Sequence, residues 1–409
     1  MRRPRRRASG AELPERNGAR TVMPREVRVL AVVAFVVALG FGIVAPAIPL
    51  FARDFGVGTT AVGLAVSAFA FFRFVSAFSG GSLVERFGER AVLATGLVVV
   101  AVTTGLAGLA GSFPVFLALR ATGGIGSAMF TVASLALLLR VSPPTHRGRA
   151  AATYQGGFIL GGIAGPAAGG LLTQLSPRLP FLLYAVALLA AGAVALVLLR
   201  TPAGVPGAGV AGAAPDLERG PVRLRRALRS RVYIAALVAN LGVGWVLFGV
   251  RNSLVPLYVT EELGRGAAWA GAGFLAGSAA QALGLLRSGR LADTWGRRPS
   301  LVLGAALGTA SMALLVLPPV TWVFLLSMAG YGLAASLLAS VPAALVGDVS
   351  PARGGRVVAV FQMSADLGAV VGPLAAGWLT DAFSYQVAFG VSTAVVAAGL
   401  VTALALPRR

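Results

Sequence analysis

Four charged residues stand inside long apolar runs, where an ionised side chain is costly and is therefore a candidate for function: Arg73, Arg120, Arg251 and Asp366. Asp366 is the one acid of the four, and an acid can take up and release a proton. Facing a polar cavity, it would exchange a proton for a bound solute. Paired with an arginine, it would instead be structural. Arginine stays protonated under ordinary conditions, so Arg120 can bias a neighbouring group or a water without carrying the proton itself. Arg73 and Arg251 fit two roles equally well, contact with a solute and pairing with Asp366. The neutral polar residues in the runs are Gln155, Asn240, Asn252, Gln281, Tyr331 and Gln362, which either line a cavity or bond one helix to another. Phe41, Trp245 and Phe248 are candidate apolar walls.

Other chemistries are excluded by residue type. With no cysteine and the single histidine His146, no disulfide, thiolate metal site or histidine metal cluster can be built. No Ser-His-Asp arrangement is plausible around one loop histidine. The sequence contains no lysine, so a phosphate-cradling G-x-x-x-x-G-K loop is impossible. No catalytic set, metal or cofactor is expected, and an ion gradient is a more natural energy source than ATP.

The elements that must position these charges are helices in a membrane. Of 409 residues, 57% are hydrophobic and 12% charged, against about 25% charged in soluble chains. Mean hydropathy is +0.83. Twelve apolar runs have roughly the 20-residue length of a spanning helix: 28–51, 60–83, 91–111, 113–140, 150–174, 180–200, 232–258, 266–288, 300–318, 321–347, 355–380 and 385–406. They are too long and too uniformly apolar for the alternating strands of a barrel.

The net charge of +21 sits in the gaps. Arginines crowd the first 26 residues and every second loop: Arg86 and Arg90; Arg147 and Arg149; Arg219 to Arg231; Arg290, Arg297 and Arg298; Arg353 and Arg356; and Arg408 and Arg409 at the end. The alternate loops hold only Arg53, Arg178 and Arg265. The positive-inside rule then puts both termini and the arginine-rich loops in the cytoplasm. Basic residues placed this way reflect topology, and no nucleic-acid partner is expected. Residues 1–26 form a polar tail with no signal-peptide pattern, and Met23 is an alternative start. Residues 201–231 read as a Gly/Ala/Pro-rich tether leading into a basic segment at the lipid surface.

The chain also repeats itself. Gly81-Ser-Leu-Val-Glu85-Arg86-Phe-Gly88-Glu-Arg90 returns 208 residues on as Gly289-Arg-Leu-Ala-Asp293-Thr-Trp-Gly296-Arg297-Arg298. Gly161-xxx-Gly165-Pro166-xxx-Gly170 returns 207 residues on as Gly368-xxx-Gly372-Pro373-xxx-Gly377, carrying Gln155 onto Gln362. Two six-helix halves follow, 27–200 and 232–409, joined by the linker 201–231. Halves related in this way imply a pseudo-two-fold axis along the membrane normal and a site between them.

On these motifs the sequence resembles the major facilitator superfamily, and within it the twelve-helix drug:proton antiporters. The family's loop pattern G-x-L-a-D-r-x-G-r-r is met at 81–90 and more closely at 289–298. Its helix-4 pattern R-x-x-x-G-x-G is met by Arg120, Gly124 and Gly126. Its helix-5 pattern G-x-x-x-G-P-x-x-G-G is met by Gly161, Gly165, Pro166, Gly169 and Gly170. The first copy of the loop departs from the pattern, with Glu85 in place of Asp and Glu89 in place of a basic residue. The resemblance implies a secondary transporter with alternating access in a bacterial cytoplasmic membrane, acting as a monomer on small molecules and protons. It favours export of an apolar or amphipathic compound, with import or metabolite carriage, or a non-transporting sensor, as alternatives. It further implies a cytoplasmic latch built from Gly81, Glu85, Arg86, Gly88, Arg90, Gly289, Asp293, Gly296, Arg297 and Arg298, and proton coupling through Asp366 and Arg120. Arg73, Gln155, Arg251, Asn252, Gln281 and Gln362 are the expected cavity residues.

Overall fold

The structure is a computed structural model and describes residues 24–143, 146–199, 221–349 and 355–407. Most of the tail and of the 201–231 linker, Arg353, Arg408 and Arg409 lie outside the described residues. Among the described residues every regular element is helical. The long helices are α1 (Arg25–Arg53), α2 (Thr59–Phe87), α3 (Glu89–Gly108), α4 (Phe113–Val141), α5 (Arg147–Leu175), α6 (Leu179–Leu198), α7 (Arg231–Glu261), α8 (Ala267–Thr294), α9 (Arg297–Leu314), α10 (Thr321–Val349), α11 (Gly355–Ala382) and α12 (Tyr385–Leu404). Eleven are long and apolar enough to cross a membrane. The other, α9, has 18 residues, opens on Arg297 and Arg298, and ends at Leu314. The sequence reading carried that run to residue 318. Pro318 and Pro319 disfavour helical backbone just before them, which accounts for the earlier end.

Local sequence explains several interruptions. α1 breaks at Ala45-Pro46, between helical stretches Arg25–Val44 and Ala47–Arg53. α7 is less regular, running through a π-helical stretch Gly244–Val250 and a break at Leu254 ahead of Pro256. The turns into α3 and α9 are made by Gly88 and Gly296, with φ of +80° and +94°. A side chain is strained in that region of backbone space, which accounts for glycine at these two loop-motif positions.

Packing recurs with a six-helix offset. α1 packs on α5 as α7 packs on α11, α3 on α4 as α9 on α10, and α3 on α6 as α9 on α12. The two sets meet mainly through α2 with α11 and α5 with α8. The α1–α5 seam is a close one. A Cβ at Gly157, Gly161, Gly165 or Gly169 would collide with the carbonyl oxygens of Ala31, Phe35, Leu39 and Ile43 in turn, so only a glycine face allows the two backbones to approach. α1 and α5 therefore run parallel. Arg298 at the start of α9 donates to the Leu404 carbonyl at the end of α12. Both ends of the described chain thus lie at the end of the bundle that carries the arginine-rich loops.

Candidate functional site

The seam between the two helix sets is closed at the end away from the arginine-rich loops. There Arg53 at the end of α1 makes a two-pronged pair with Glu261 at the end of α7, Nε to Oε1 at 2.8 Å and Nη2 to Oε2 at 3.0 Å. Tyr385 of α12 donates to the same carboxylate at 2.5 Å. Asp381, near the end of α11, accepts from the amides of Thr59 and Thr60 at 2.8 and 2.7 Å and from the Thr60 hydroxyl at 2.6 Å. The first amides of a helix have no partner within it, and α2 takes its cap from a helix of the other set. Deeper in, a Cβ at Gly63 would strike the Pro373 carbonyl, and Ser67 donates to the Val370 carbonyl at 2.6 Å. α5 and α8 touch at the same end, where Gly170 lies against Gly271.

The arginine-rich end is different. Cβ atoms added at Gly81 or Gly289 would meet nothing within 4 Å. Glu85, Arg86 and Asp293 are exposed, with Arg86 over the ring of its neighbour Phe87 at 5.3 Å. Arg90 and Arg298 each keep a buried Nε without a hydrogen-bond partner. Among the described residues two ion pairs are seen at this end, each inside one helix set. Arg140 at the end of α4 grips Glu89 at the start of α3, with distances of 3.0 and 2.9 Å. Arg297 at the start of α9 pairs with Asp348 at the end of α10 at 2.6 Å. The pairs occupy equivalent places in the repeat with their charges exchanged. Glu89, the unexpected acid of the first loop motif, is thus matched by an arginine where the second copy has an acid.

Midway along the seam, Arg73 of α2 meets Asp366 of α11 through a single Nη2–Oδ1 contact of 3.4 Å. The side chains stay 40% and 34% exposed, so this is a loose pair able to open. Gln362, Asp366 and Pro373 follow one another at i, i+4 and i+11 and share the face of α11 that looks at α2. Gln155 shares a face of α5 with Pro166, whose carbonyl meets Gly271 of α8. Both glutamines are exposed.

The other predicted residues are dispersed. Arg120 is buried in α4 with its guanidinium 4.5 Å over the Phe69 ring of α2 and its Nε unpartnered. Gly124 and Gly126 of the same motif let α4 touch the backbones of α2 and α3. Arg251 turns toward α8, donating from Nη2 to the Phe274 carbonyl at 3.1 Å and to Ser278 Oγ at 3.0 Å, over the Phe274 ring at 4.7 Å. It also borders a pocket with Tyr331, Gly277 and Met328, large enough for about one water molecule. Asn252 bonds back to the Phe248 carbonyl at 3.3 Å, and Gln281 is half-buried. Asn240 is spent on α11, donating to the Phe361 carbonyl at 2.7 Å.

Sequence reasoning passed over the closed end. In the sequence Arg53 is one of three arginines in the sparsely charged loops, and Glu261, Asp381 and Tyr385 stand in none of the motifs read there. One signal was available. Arg53 and Glu261 are separated by 208 residues, the shift of the loop repeat, so the two halves present opposite charges at equivalent positions.

Two repeated sets of membrane-length helices thus meet along a seam that is tied at one end and carries a charge pair at its middle. The Major Facilitator Superfamily model matches residues 30–278 and 246–409, and the chain belongs to that family. The chloramphenicol resistance protein of Streptomyces lividans is 29% identical over 397 residues, 92% of this chain and 98% of that one. The quinolone resistance protein NorA of Staphylococcus aureus strain N315 is 28% identical over 184 residues, so the match spans about half of each protein (44% and 46%). Among solved structures, a bacterial homologue of the human lysosomal transporter Spinster in an inward-facing, unoccupied conformation overlays with a TM-score of 0.71 at 18% identity, covering 94% of both chains. A POT family transporter overlays at 0.73 with 14% identity, over 93% of this chain and 95% of that one. At such identities these two describe the fold.

Proposed function

We propose that this protein exports a small apolar or amphipathic compound across a bacterial cytoplasmic membrane in exchange for protons. The carrying observation is the Arg73–Asp366 pair. Asp366 is the only acid in the middle of a span among the described residues, it stands on the seam between the two helix sets, and its one ionic contact is long. Protonation would release Arg73, and a solute entering the seam would compete for the same space. The names of the two resistance proteins support the direction and the compound class. Gln155 and Gln362 line the approach, and Arg120 biases the coupling from within α4.

In this reading the arginine-rich end is cytoplasmic, both termini lie there, and the described state is open inward. Residues 27–200 and 232–409 are two halves that rock about the site, joined by the cytoplasmic linker 201–231, in a monomer. In the outward-open state the 81–90 and 289–298 loops close the cytoplasmic end, with Glu85 and Asp293 as their acids.

The test uses inside-out vesicles carrying the protein, a preformed proton gradient and a pH-sensitive dye. A panel of amphipathic drugs and small metabolites is added to protein with the native residue and to Asp366→Asn. The expected outcome is collapse of the gradient by at least one compound, lost in Asp366→Asn. Collapse that survives the substitution removes Asp366 as the coupling acid, and a silent panel with folded protein removes the antiport reading.

A further inference from the structure

We infer that the binding cavity discriminates by charge, taking neutral or anionic amphipathic compounds and rejecting cations, with Arg251 as a specificity-determining residue. The inference rests on the transporter reading above and adds the charge class of its substrate.

The middle of the spans holds Arg73, Arg120, Arg251 and Asp366. Only one of these arginines has an acid beside it, because Asp366 is taken by Arg73. Among the described residues the remaining acids sit at or near helix ends, where Glu89, Glu261 and Asp381 are engaged. Arg120 and Arg251 have no carboxylate partner among the described residues. Each is instead stacked on a phenylalanine, Phe69 at 4.5 Å and Phe274 at 4.7 Å. An aromatic face softens the burial of a cation but leaves its charge in place.

Arg251 has the more accessible charge of the two. Its hydrogen bonds run through Nη2 alone, to α8, and the guanidinium borders a water-sized pocket with Tyr331. Arg120 is buried against Phe69. The interior therefore carries two uncompensated positive charges in a medium of low polarity. Fields of this kind are weakly screened and act over several ångströms, so they bear on a solute in the seam without touching it. At an effective dielectric of about 20, one unit charge about 10 Å away changes the affinity of a singly charged solute by roughly tenfold or more. The sign opposes cations.

The test separates charge from shape with two ions of nearly the same size, tetraphenylborate and tetraphenylphosphonium. Equilibrium binding is read by tryptophan quenching in nanodiscs of zwitterionic lipid, without a proton gradient. The quantity is the borate-to-phosphonium affinity ratio in each variant relative to the native protein, because partitioning into lipid is common to all. The ratio is expected to favour borate, to fall about tenfold in Arg251→Gln, and to hold in Arg251→Lys, which keeps the charge. Arg225→Gln, at an exposed surface arginine, is expected to leave it unchanged. Three results overturn the inference: phosphonium binding as tightly as borate, a ratio that Arg251→Gln does not move, or no binding of either ion. A silent proton assay alongside a borate preference that depends on Arg251 would instead remove the antiport reading and leave this one standing.

Discussion

At the closed end of the bundle, carboxylates reach from one helix set to the other. Glu261 takes Arg53 and Tyr385, and Asp381 caps α2. At the arginine-rich end the ion pairs stay within a set, Glu89 with Arg140 and Arg297 with Asp348. The difference follows from what each contact must survive. In the proposed transport cycle a contact across the seam has to break at every turn, so it is better made from partly exposed groups that water can take over. Arg53 and Glu261 fit that description at about a third exposed, where an ion pair is worth about 0–1 kcal/mol. A contact within a set joins two helices of one body and is free to be either buried, as Glu89–Arg140 is, or exposed, as Arg297–Asp348 is at 34% and 53%. The Glu89 side chain is only 10% exposed, and breaking such a pair costs about 3–5 kcal/mol.

This contrast can be broken deliberately, and the absence of native cysteine leaves the chain free for single-cysteine labelling. The largest effect is expected from Gly63→Val. Its side chain would overlap the Pro373 carbonyl, so the closed end can no longer shut and the population should invert. Distances between spin labels placed at the two ends would report it, and an unchanged distribution would show that Gly63 does not hold the seam.

Next in size is Arg140→Glu, which sets two acids together inside one helix set. It should lower stability by about 3 kcal/mol, and Glu89→Arg added to it should restore most of the loss by copying the charge order of α9 and α10. Thermal unfolding of the two single variants and the double variant gives the coupling. Additive losses would mean that the pair contributes nothing specific.

The smallest effect is expected from Asp381→Ala. Losing this cap should weaken the closed end by about 1–2 kcal/mol, shifting the population roughly five- to thirtyfold toward opening there without changing the unfolding temperature of the helix sets. Labelling of a cysteine at Ser67 from the closed side would measure the shift. An equal fall in global stability would make Asp381 a fold residue and not a seam residue.

Much of the architecture was legible because a lipid environment imposes length and polarity on every span. The twelve runs correspond to the twelve helices, and the glycines at 157, 161, 165 and 169 lie on the close α1 seam that their spacing of four predicts. The interior charges stood out because charge is rare there. Their partners did not. Arg73, Arg120 and Arg251 looked alike in the sequence, yet one meets Asp366, one is sealed over Phe69 and one turns onto α8. Rotation about a helix axis decides among these outcomes, and an almost uniformly apolar helix carries little periodicity from which to read that rotation.

What the sequence determined by itself, then, was the class of solvent, the number of spans, the repeat and the identity of the few costly charges. All of these follow from composition and spacing along one dimension. Only the tertiary structure decided which charges pair, that Glu89 is balanced by Arg140, that Asp381 caps a helix more than 300 residues away, and which end of the seam is shut. Those facts depend on how helices distant in sequence are placed side by side, and ion pairs and caps act only at contact distance.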